Sequence, residues 1–181
     1  NNPEILYAII KIVAQKPGMY LHYDHLANDL NISSKTVSKY ISILEQAFLL
    51  KILYNYSTNQ LTSEKKLKRL YLASSSFCVA LFDFTNLGSL IENAIIATKP
   101  YNFFWRDAYK HEVDFVKIEN NRCIPIEVKY RKQVKRTDYQ NIYLFAKKFK
   151  TDKAILITKQ HSDNHIIHND FRIDTKSLYF W

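Results

Sequence analysis

Two alternating residues on a short apolar run, Glu127 and Lys129, have the types needed for chemistry on a phosphate ester. The run from Ile126 to Tyr130 alternates apolar and charged residues, and a period of two puts the carboxylate and the ammonium on one face of a strand. Twelve residues separate Glu127 from Asp114 on the preceding predicted strand, as in a hairpin. Metal-dependent hydrolysis of a phosphodiester needs a set of this kind, with two carboxylates and a lysine.

The same pattern also fits a surface of solvated, cross-strand salt bridges. Charged alternation is common on half-exposed strands, so a Glu-x-Lys pattern alone favours this alternative. The order of the surrounding elements and the upstream Asp114 favour the chemical interpretation, more for the fold than for activity. The residues of the solvated alternative are Glu112, Asp114, Glu127 and Lys129.

A helix, three strands, a second helix and a further strand are predicted to position these residues. Thr85 or Asn86 can cap a helix that runs to about Thr98 and carries Glu92 off the centre of its apolar stripe. The stripe comprises Leu87, Leu90, Ile91, Ala94 and Ile95. The predicted strands are 101–106, 112–118, 123–130 and 154–158, the second helix is 137–150, and edge strands are expected at 166–167 and 177–181.

The first part of the chain predicts a winged helix-turn-helix. Helices are expected from Pro3 to about Lys16, from Asp24 to Leu30, and from Ser33 or Ser34 to about Phe48. Two β-rich runs, 49–56 and 67–72, enclose a basic stretch and predict a hairpin. The third helix has an apolar face of Val37, Tyr40, Ile41, Leu44, Ala47 and Phe48. The predicted fold is therefore α/β (α+β), with a winged helix at 1–79 and an αβββαβ domain at 80–181.

Polar and basic residues cluster at three places where DNA phosphates would fit: one helix face, the hairpin, and the run after the third strand of the second domain. The alternative for the first two places is a winged helix that serves for protein contact or as a spacer. The alternative for the third place is a solvated loop. Trp105 and Tyr109 can stack on bases or belong to the core. The candidate DNA-binding residues are Lys35, Ser38, Lys39, Ser42, Lys65, Lys66, Lys68, Arg69, Arg131, Lys132, Lys135 and Arg136.

The amino-acid composition limits the kinds of binding partner that we expect. The 26 Lys and Arg residues exceed the 17 Asp and Glu residues and leave a formal charge of +9, which favours DNA ahead of an acidic membrane surface. No apolar run is long enough for a membrane helix, so a cytoplasmic location without a membrane partner is expected. Gly18 and Gly88 are the only glycines, which excludes a phosphate-binding glycine loop and hence a nucleotide site in this chain. Met19 is the only methionine, and we expect a C-terminal piece of a longer polypeptide.

Four motifs in order carry a family resemblance. The chain resembles the PD-(D/E)XK nuclease-like superfamily in having Asp114, then twelve residues, then Glu127-x-Lys129, within an αβββαβ order of elements. With the motifs around Gly88–Asn93, Phe104–Arg106, Glu112–Val116 and Ile124–Tyr130, the chain resembles the C-terminal region of archaeal and bacterial AAA-type P-loop ATPases. In those proteins an ATPase core precedes a winged helix and a nuclease-like domain. This chain departs from the pattern at Ala73-Ser74 and at His111.

The resemblance implies a role for each site residue. Asp114 and Glu127, with the backbone carbonyl of Val128, would hold Mg²⁺ or Mn²⁺, and Lys129 would position the attacking water. Glu92 matches the acid that many members add to the metal site from a helix. An N-terminal AAA-type ATPase domain is the implied partner in the full-length protein.

Three functions follow as alternatives. The first is a DNA-binding C-terminal module of an AAA-type ATPase with a Mg²⁺-dependent endonuclease site. The second keeps the fold but makes the nuclease-like domain an inactive platform for DNA or protein. The third is a stand-alone transcriptional regulator that dimerises on a palindrome, although such a regulator has no need for the Glu92, Asp114, Glu127 and Lys129 set.

Overall fold

The protein has a mixed α/β structure with two compact units. The structure, a computed structural model, describes residues 2–65, 67–82, 86–131, 134–159, 165–168 and 171–180. Unit 1 comprises Asn1–Leu53 and Leu67–Pro100, and unit 2 comprises Tyr54–Lys66 and Tyr101–Trp181. The domain boundary predicted near residue 80 falls inside a helix of unit 1, whereas the compact units divide after Leu53, Lys66 and Pro100.

Three helices begin unit 1, within two residues of the predicted ranges, although Asp24 does not cap the second helix as predicted but lies in its first turn. They are α1 (Pro3–Gln15), α2 (Tyr23–Leu30) and α3 (Ser34–Gln46). The Ser33 side chain caps α3 by accepting a hydrogen bond from Thr36 N at 3.1 Å. Asn31 adopts the left-handed conformation at φ 52° and ends α2.

The end of α3 differs from the prediction. Ala47 and Phe48 were expected on its apolar face, but the helix ends at Gln46 and Phe48 is 84% exposed. The backbone of Phe48 has φ 57°, which turns the chain out of the helix before that side chain reaches the core. Val37, Tyr40, Ile41 and Leu44 are buried as the helical period predicts.

The rest of unit 1 contains short strands and two further helices. Strand β1 (Met19–Tyr20) pairs antiparallel with β3 (Lys68–Leu72), which neighbours β2 (Leu50–Asn55). Between the latter two strands, where a polar stretch was expected, the chain forms α4 (Gln60–Lys65), which belongs to unit 2. Helices α5 (Ser75–Leu81) and α6 (Leu87–Thr98) pack on each other and on β3.

Helix α6 buries a polar residue that the sequence analysis did not assign to the core. Asn93 is completely buried, and its amide binds Leu72 N at 2.9 Å, Leu72 O at 3.1 Å and Ser75 Oγ at 3.2 Å. Leu87 and Ala94, both expected in the apolar stripe, are exposed. The stripe is rotated because the side-chain amide of Asn93 satisfies backbone groups at the end of β3.

Unit 2 contains six strands: β4 (Phe103–Arg106), β5 (Glu112–Glu119), β6 (Arg122–Lys129), β7 (Lys153–Thr158), β8 (His165–His168) and β9 (Phe171–Ser177). They form a mixed sheet in the order β4-β5-β6-β7-β9-β8, and the end of β2 pairs parallel with β4. Strands β4, β5 and β6 are antiparallel neighbours, β6, β7 and β9 are parallel, and β8 is antiparallel to β9.

The last strand was predicted wrongly. An edge strand was expected at 177–181, but β9 ends at Ser177 and Leu178–Phe180 forms a 3₁₀ helix. β9 is not at an edge, because it pairs with β7 on one side and β8 on the other. Long-range pairing with β7, which a local pattern of residues does not show, selects this segment as the strand.

Helix α7 (Gln140–Phe149) follows a 3₁₀ helix, Arg136–Tyr139, and packs on β5, β6 and β7. Its buried residues Ile142 and Ala146 join Leu156 and Ile173 in one cluster, and Phe145 joins Cys123 and Trp105 in another. Cys123 and Glu127 are four residues apart on β6, so both project from the face of the sheet that α7 contacts. Among the described residues, no helix has the length and apolar character needed to cross a membrane.

Candidate active site

The hairpin of β5 and β6 brings Asp114, Glu127 and Lys129 together. Phe115 pairs with Ile126, and one step further along this register Asp114 lies opposite Glu127. Asp114 Oδ2 accepts a hydrogen bond from Val128 N at 2.8 Å. Lys129 Nζ donates to Glu127 Oε1 at 2.5 Å. The structure therefore places these three predicted residues in one cluster in unit 2.

Burial makes Glu127 an unusual carboxyl group. Its side chain is only 6% exposed, while Lys129 is 31% exposed. Burial and, to a smaller extent, the negative charge of Asp114 raise the pKa of Glu127 to about 8, and the Lys129 ammonium opposes this rise. At neutral pH, without another cation nearby, Glu127 therefore tends to keep its proton.

One oxygen of this carboxyl group fits a metal ligand. Glu127 Oε2 is buried and has no hydrogen-bond partner among the described residues. Buried carboxylate oxygens normally have a partner, and Mg²⁺ prefers oxygen ligands of this kind. In the part of the chain that the structure describes, no group of three or more His, Cys, Asp or Glu side chains is arranged to hold a metal. The donor set is thus two carboxylates with an adjacent ammonium.

Glu92, the fourth predicted site residue, lies on α6 in unit 1. Its Oε2 accepts a hydrogen bond from Tyr71 Oη at 3.3 Å and lies 3.4 Å from Arg69 Nη2. Only 19% of the Glu92 side chain is exposed. These two contacts join the carboxylate of α6 to β3.

The polar face of α3 is exposed, as its period predicts. Lys35, Ser38, Lys39 and Ser42 all lie on the solvent side of the helix, opposite Val37 and Ile41. Ser42 Oγ accepts a hydrogen bond from Gln46 Nε2 at 3.3 Å. The face presents two ammonium groups and two hydroxyl groups to solvent.

The basic residues predicted between β2 and β3 are not equivalent. Lys66 and the side chain of Lys65 lie outside the described residues, and Lys68 is half-buried. Arg69 Nε donates to Gly18 O at 2.7 Å, and its guanidinium also pairs with Glu92. The guanidinium of Arg69 is therefore held within unit 1, because it joins β3 to the turn before β1 and to α6.

The basic run after β6 has both paired and exposed members. Arg131 forms an ion pair with the buried Asp138, whose Oδ2 also accepts from Lys135 N at 2.7 Å. The side chains of Lys135 and Arg136 are exposed, whereas Lys132 lies outside the described residues. The ion pair joins Arg131 to the 3₁₀ helix before α7. Lys135 and Arg136 leave two cations on the surface beside it.

From the sequence, Lys159 has no assigned role and Trp105 and Tyr109 each have two alternative roles, and all three residues lie at this end of the sheet. Lys159 follows β7 and places its Nζ 5.1 Å from the Tyr130 ring centroid, a cation–π contact. Of the two aromatic residues suggested for base stacking, Trp105 is 2% exposed and belongs to the core, whereas Tyr109 is 83% exposed. Only the parallel pairing of β6 with β7 could have indicated that Lys159 lies beside Tyr130.

Two models of known families match the chain. The model described as "Domain of unknown function (DUF4143)" matches residues 87–178. This is just over half of the chain, so the chain belongs to that family, which is known in contexts associated with AAA ATPases. The model described as "Domain of unknown function (DUF8612)" matches residues 1–88. No curated protein and no solved structure matches the chain.

Proposed function

We propose that this member of the DUF4143 family is the DNA-binding C-terminal module of a cytoplasmic AAA-type ATPase, and that its second domain hydrolyses DNA phosphodiester bonds with Mg²⁺. The observation that carries the proposal is the buried Glu127, whose Oε2 has no partner among the described residues and whose neighbours are Asp114 and Lys129. A buried acid without a full set of partners is costly for the fold and is typical of a functional site.

The proposed fold is a winged helix-turn-helix followed by a PD-(D/E)XK nuclease-like domain. Three helices and the neighbouring strands β2 and β3 support the first part. The order α6, β4, β5, β6, α7, β7 supports the second part, together with the antiparallel β4-β5-β6 set and the parallel β6–β7 pair.

In the proposed site, Asp114 and Glu127 would hold the cation, and the Val128 carbonyl would be a further oxygen donor. Mg²⁺ or Mn²⁺ would supply Lewis acidity and lower the pKa of a bound water. The hydrogen bond from Val128 N fixes the orientation of the Asp114 carboxylate. Lys129 holds a proton at Nζ beside Glu127 and offsets negative charge on the phosphate.

DNA as the substrate is supported by charge. The chain carries a formal charge of +9, and contacts with phosphates release counterions. The exposed face of α3 offers Lys35 and Lys39, and the segment after β6 offers Lys135 and Arg136. These residues supply affinity that does not depend on sequence and decreases with salt.

Nicking of supercoiled plasmid tests the proposal. The wild-type chain is expected to nick DNA with Mg²⁺ or Mn²⁺ and not with EDTA, and Glu127→Ala and Lys129→Ala are expected to lose at least about 100-fold in rate. Glu119→Ala is the matched control, because Glu119 is an exposed glutamate on the neighbouring strand and also pairs with a lysine. Equal traces from all four proteins, prepared identically, would contradict the nuclease.

Metal binding provides a readout that does not need activity. Asp114→Asn keeps an oxygen acceptor for Val128 N but removes the charge. We expect Mg²⁺ at about ten times its Kd to stabilise the wild type by about 1.4 kcal/mol, and the variant by much less. Thermal denaturation with and without Mg²⁺ measures both values. An identical Mg²⁺ shift in wild type and Asp114→Asn would remove Asp114 from the metal site.

The second candidate function, an inactive platform for DNA or protein, is favoured by a different observation. Lys129 and Val128 N already satisfy one oxygen each of Glu127 and Asp114, and Glu92 pairs with Arg69. In this alternative the cluster only stabilises the sheet. Gel shifts of DNA in EDTA by a chain that fails to nick would support it.

A further inference from the structure

One edge of the unit 2 sheet collects the ends of five strands beside the candidate site. Arg106 at the end of β4 pairs with Glu112 at the start of β5. On the other side of β6, Lys129 pairs with Thr158 of β7, and Thr158 pairs with Ser177 of β9. Extending the β5–β6 register places Glu112 opposite Lys129. These residues form one row across the sheet, about 19 Å wide at the usual strand spacing.

An exposed tyrosine lies just beyond the β4 end of this row. Tyr109 is 83% exposed, in the turn between β4 and β5. Asp107 holds the turn: its Oδ1 accepts from Tyr109 N and from His111 N, each at 2.9 Å, and its Oδ2 lies 2.8 Å from His111 Nδ1. The aromatic ring is therefore presented to solvent on an ordered turn, which lowers the entropy cost of stacking on it.

A second exposed tyrosine lies beyond the other end of the row. Tyr179 is 73% exposed, in the 3₁₀ helix that follows β9. Its backbone N donates to Oγ of the buried Ser177 at 3.3 Å, which ties this short helix to the end of the strand. Tyr109 and Tyr179 therefore flank the strand end that carries Lys129.

The surface between and around the two rings is rich in cations. Lys110 is exposed next to Tyr109, Lys135 and Arg136 are exposed after β6, and Lys159 follows the end of β7. Exposed aromatic rings alternating with cations are the chemistry that proteins use to bind single-stranded nucleic acid, with bases on the rings and phosphates on the cations. Duplex DNA keeps its bases stacked and offers no free faces to such rings.

We infer that this edge of the sheet binds single-stranded DNA, with one base stacked on Tyr109 and another on Tyr179 so that the backbone crosses the Asp114, Glu127 and Lys129 cluster. The inference rests on the proposed function and names its substrate class: a single-stranded segment such as a tail, a flap or an unwound region. Tyr109 and Tyr179 are binding residues and take no part in the hydrolysis.

The test is fluorescence anisotropy of the full chain in EDTA with a labelled oligothymidine of about 15 nucleotides, a length within known single-strand site sizes. Tyr109→Ala and Tyr179→Ala are each expected to weaken binding by about 5- to 150-fold, the measured range for one base stacked on an aromatic ring. Phenylalanine at either position keeps the ring and is expected to retain binding within about threefold. Binding of a blunt duplex of equal length is expected to change little in all variants.

Tyr7→Ala is the matched control, because Tyr7 is also an exposed tyrosine beside a lysine, Lys11, but lies on α1. Unchanged single-strand affinity in both alanine variants overturns the inference, as does an equal loss of duplex binding or a wild type that does not bind the oligothymidine. Since the assay contains no metal, its result is independent of the nicking assay. A chain that nicks DNA without these effects contradicts only this inference, and a chain that shows them without nicking contradicts only the nuclease.

Discussion

Two lysine–glutamate pairs on adjacent strands of unit 2 have the same spacing and different surroundings. Lys117 Nζ lies 2.6 Å from Glu119 Oε1 on β5, and Lys129 Nζ lies 2.5 Å from Glu127 Oε1 on β6. Glu119 has 46% of its side chain exposed, whereas Glu127 has 6% exposed. β5 ends in a turn at Glu119, while Glu127 lies inside the sheet between β5 and β7.

The surroundings reverse the direction of the pKa shift. The hydrogen bond and charge of Lys117 lower the pKa of Glu119, because the exposed carboxylate loses little hydration. Burial raises the pKa of Glu127 to about 8 despite its lysine. The comparison teaches that a Lys-x-Glu or Glu-x-Lys pattern has no fixed chemistry: the desolvation of the carboxylate decides whether the pair is a surface ion pair or a candidate site.

The largest expected difference between the two pairs lies in the pH dependence of stability. The folded-state pKa of Glu127 exceeds its unfolded value, so the folded chain holds a proton that the unfolded chain has released between about pH 4.5 and pH 8. Stability therefore falls as pH rises through this window, by on the order of 4 kcal/mol. Glu127→Gln is expected to remove this fall, as measured by urea denaturation in EDTA.

Glu119→Gln provides the control with the opposite sign. The lowered pKa of Glu119 gives a contribution that is present above its unfolded pKa and lost only as pH falls through the folded pKa. Between pH 5 and 8 the curve of Glu119→Gln should therefore parallel the wild type. A Glu127→Gln curve that also parallels the wild type would show that Glu127 is ionised and well hydrated, like Glu119.

Removing the lysines should have a smaller but still unequal effect. Lys129→Met leaves a buried carboxyl group without its cation and is expected to cost about 2 kcal/mol, below the usual range for a buried pair because Glu127 can take up a proton. Lys117→Met breaks an exposed pair and should leave the urea midpoint unchanged. Equal urea midpoints for both variants at pH 8 would mean that burial does not strengthen the ion pair of Lys129 with Glu127.

Glu92 adds a third carboxylate to the comparison of Glu119 with Glu127. Its substitution should have the smallest effect on stability. Glu92→Gln weakens a partly buried contact with Arg69 and is expected to cost about 0.5 to 1 kcal/mol, with no change in the Mg²⁺ shift of the melting temperature. Loss of that shift in Glu92→Gln, with Glu112→Gln unaffected, would support the predicted place of Glu92 in the metal set.

Local signals in the sequence predicted most elements of the fold. The caps Ser33 and Asn86 and the periods of α3 and α7 depend on neighbours within a few residues, and the structure has these helices. Errors arose where a distant partner decides: Asn93 is buried because β3 needs its amide, and the strand at Phe171–Ser177 exists because β7 pairs with it.

The candidate site divides in the same way. Alternation on β6 and the hairpin spacing predicted that Asp114, Glu127 and Lys129 would meet, and the register of β5 and β6 brings them together. No local pattern in the sequence indicated that Glu92 and Arg69 form an ion pair, since the two residues are 23 positions apart. The exposed Tyr109 and buried Trp105 likewise could not be distinguished from residue type alone.

The sequence by itself determined the residue types, their alternation on the strands, the helix caps and the positive charge. Each of these depends on covalent neighbours or on simple composition. Only the tertiary structure decided that Glu127 is buried while Glu119 is exposed, and that Tyr109 and Tyr179 flank the same edge. Burial and proximity depend on which strands pair and where α7 packs, and these contacts join residues far apart in the chain.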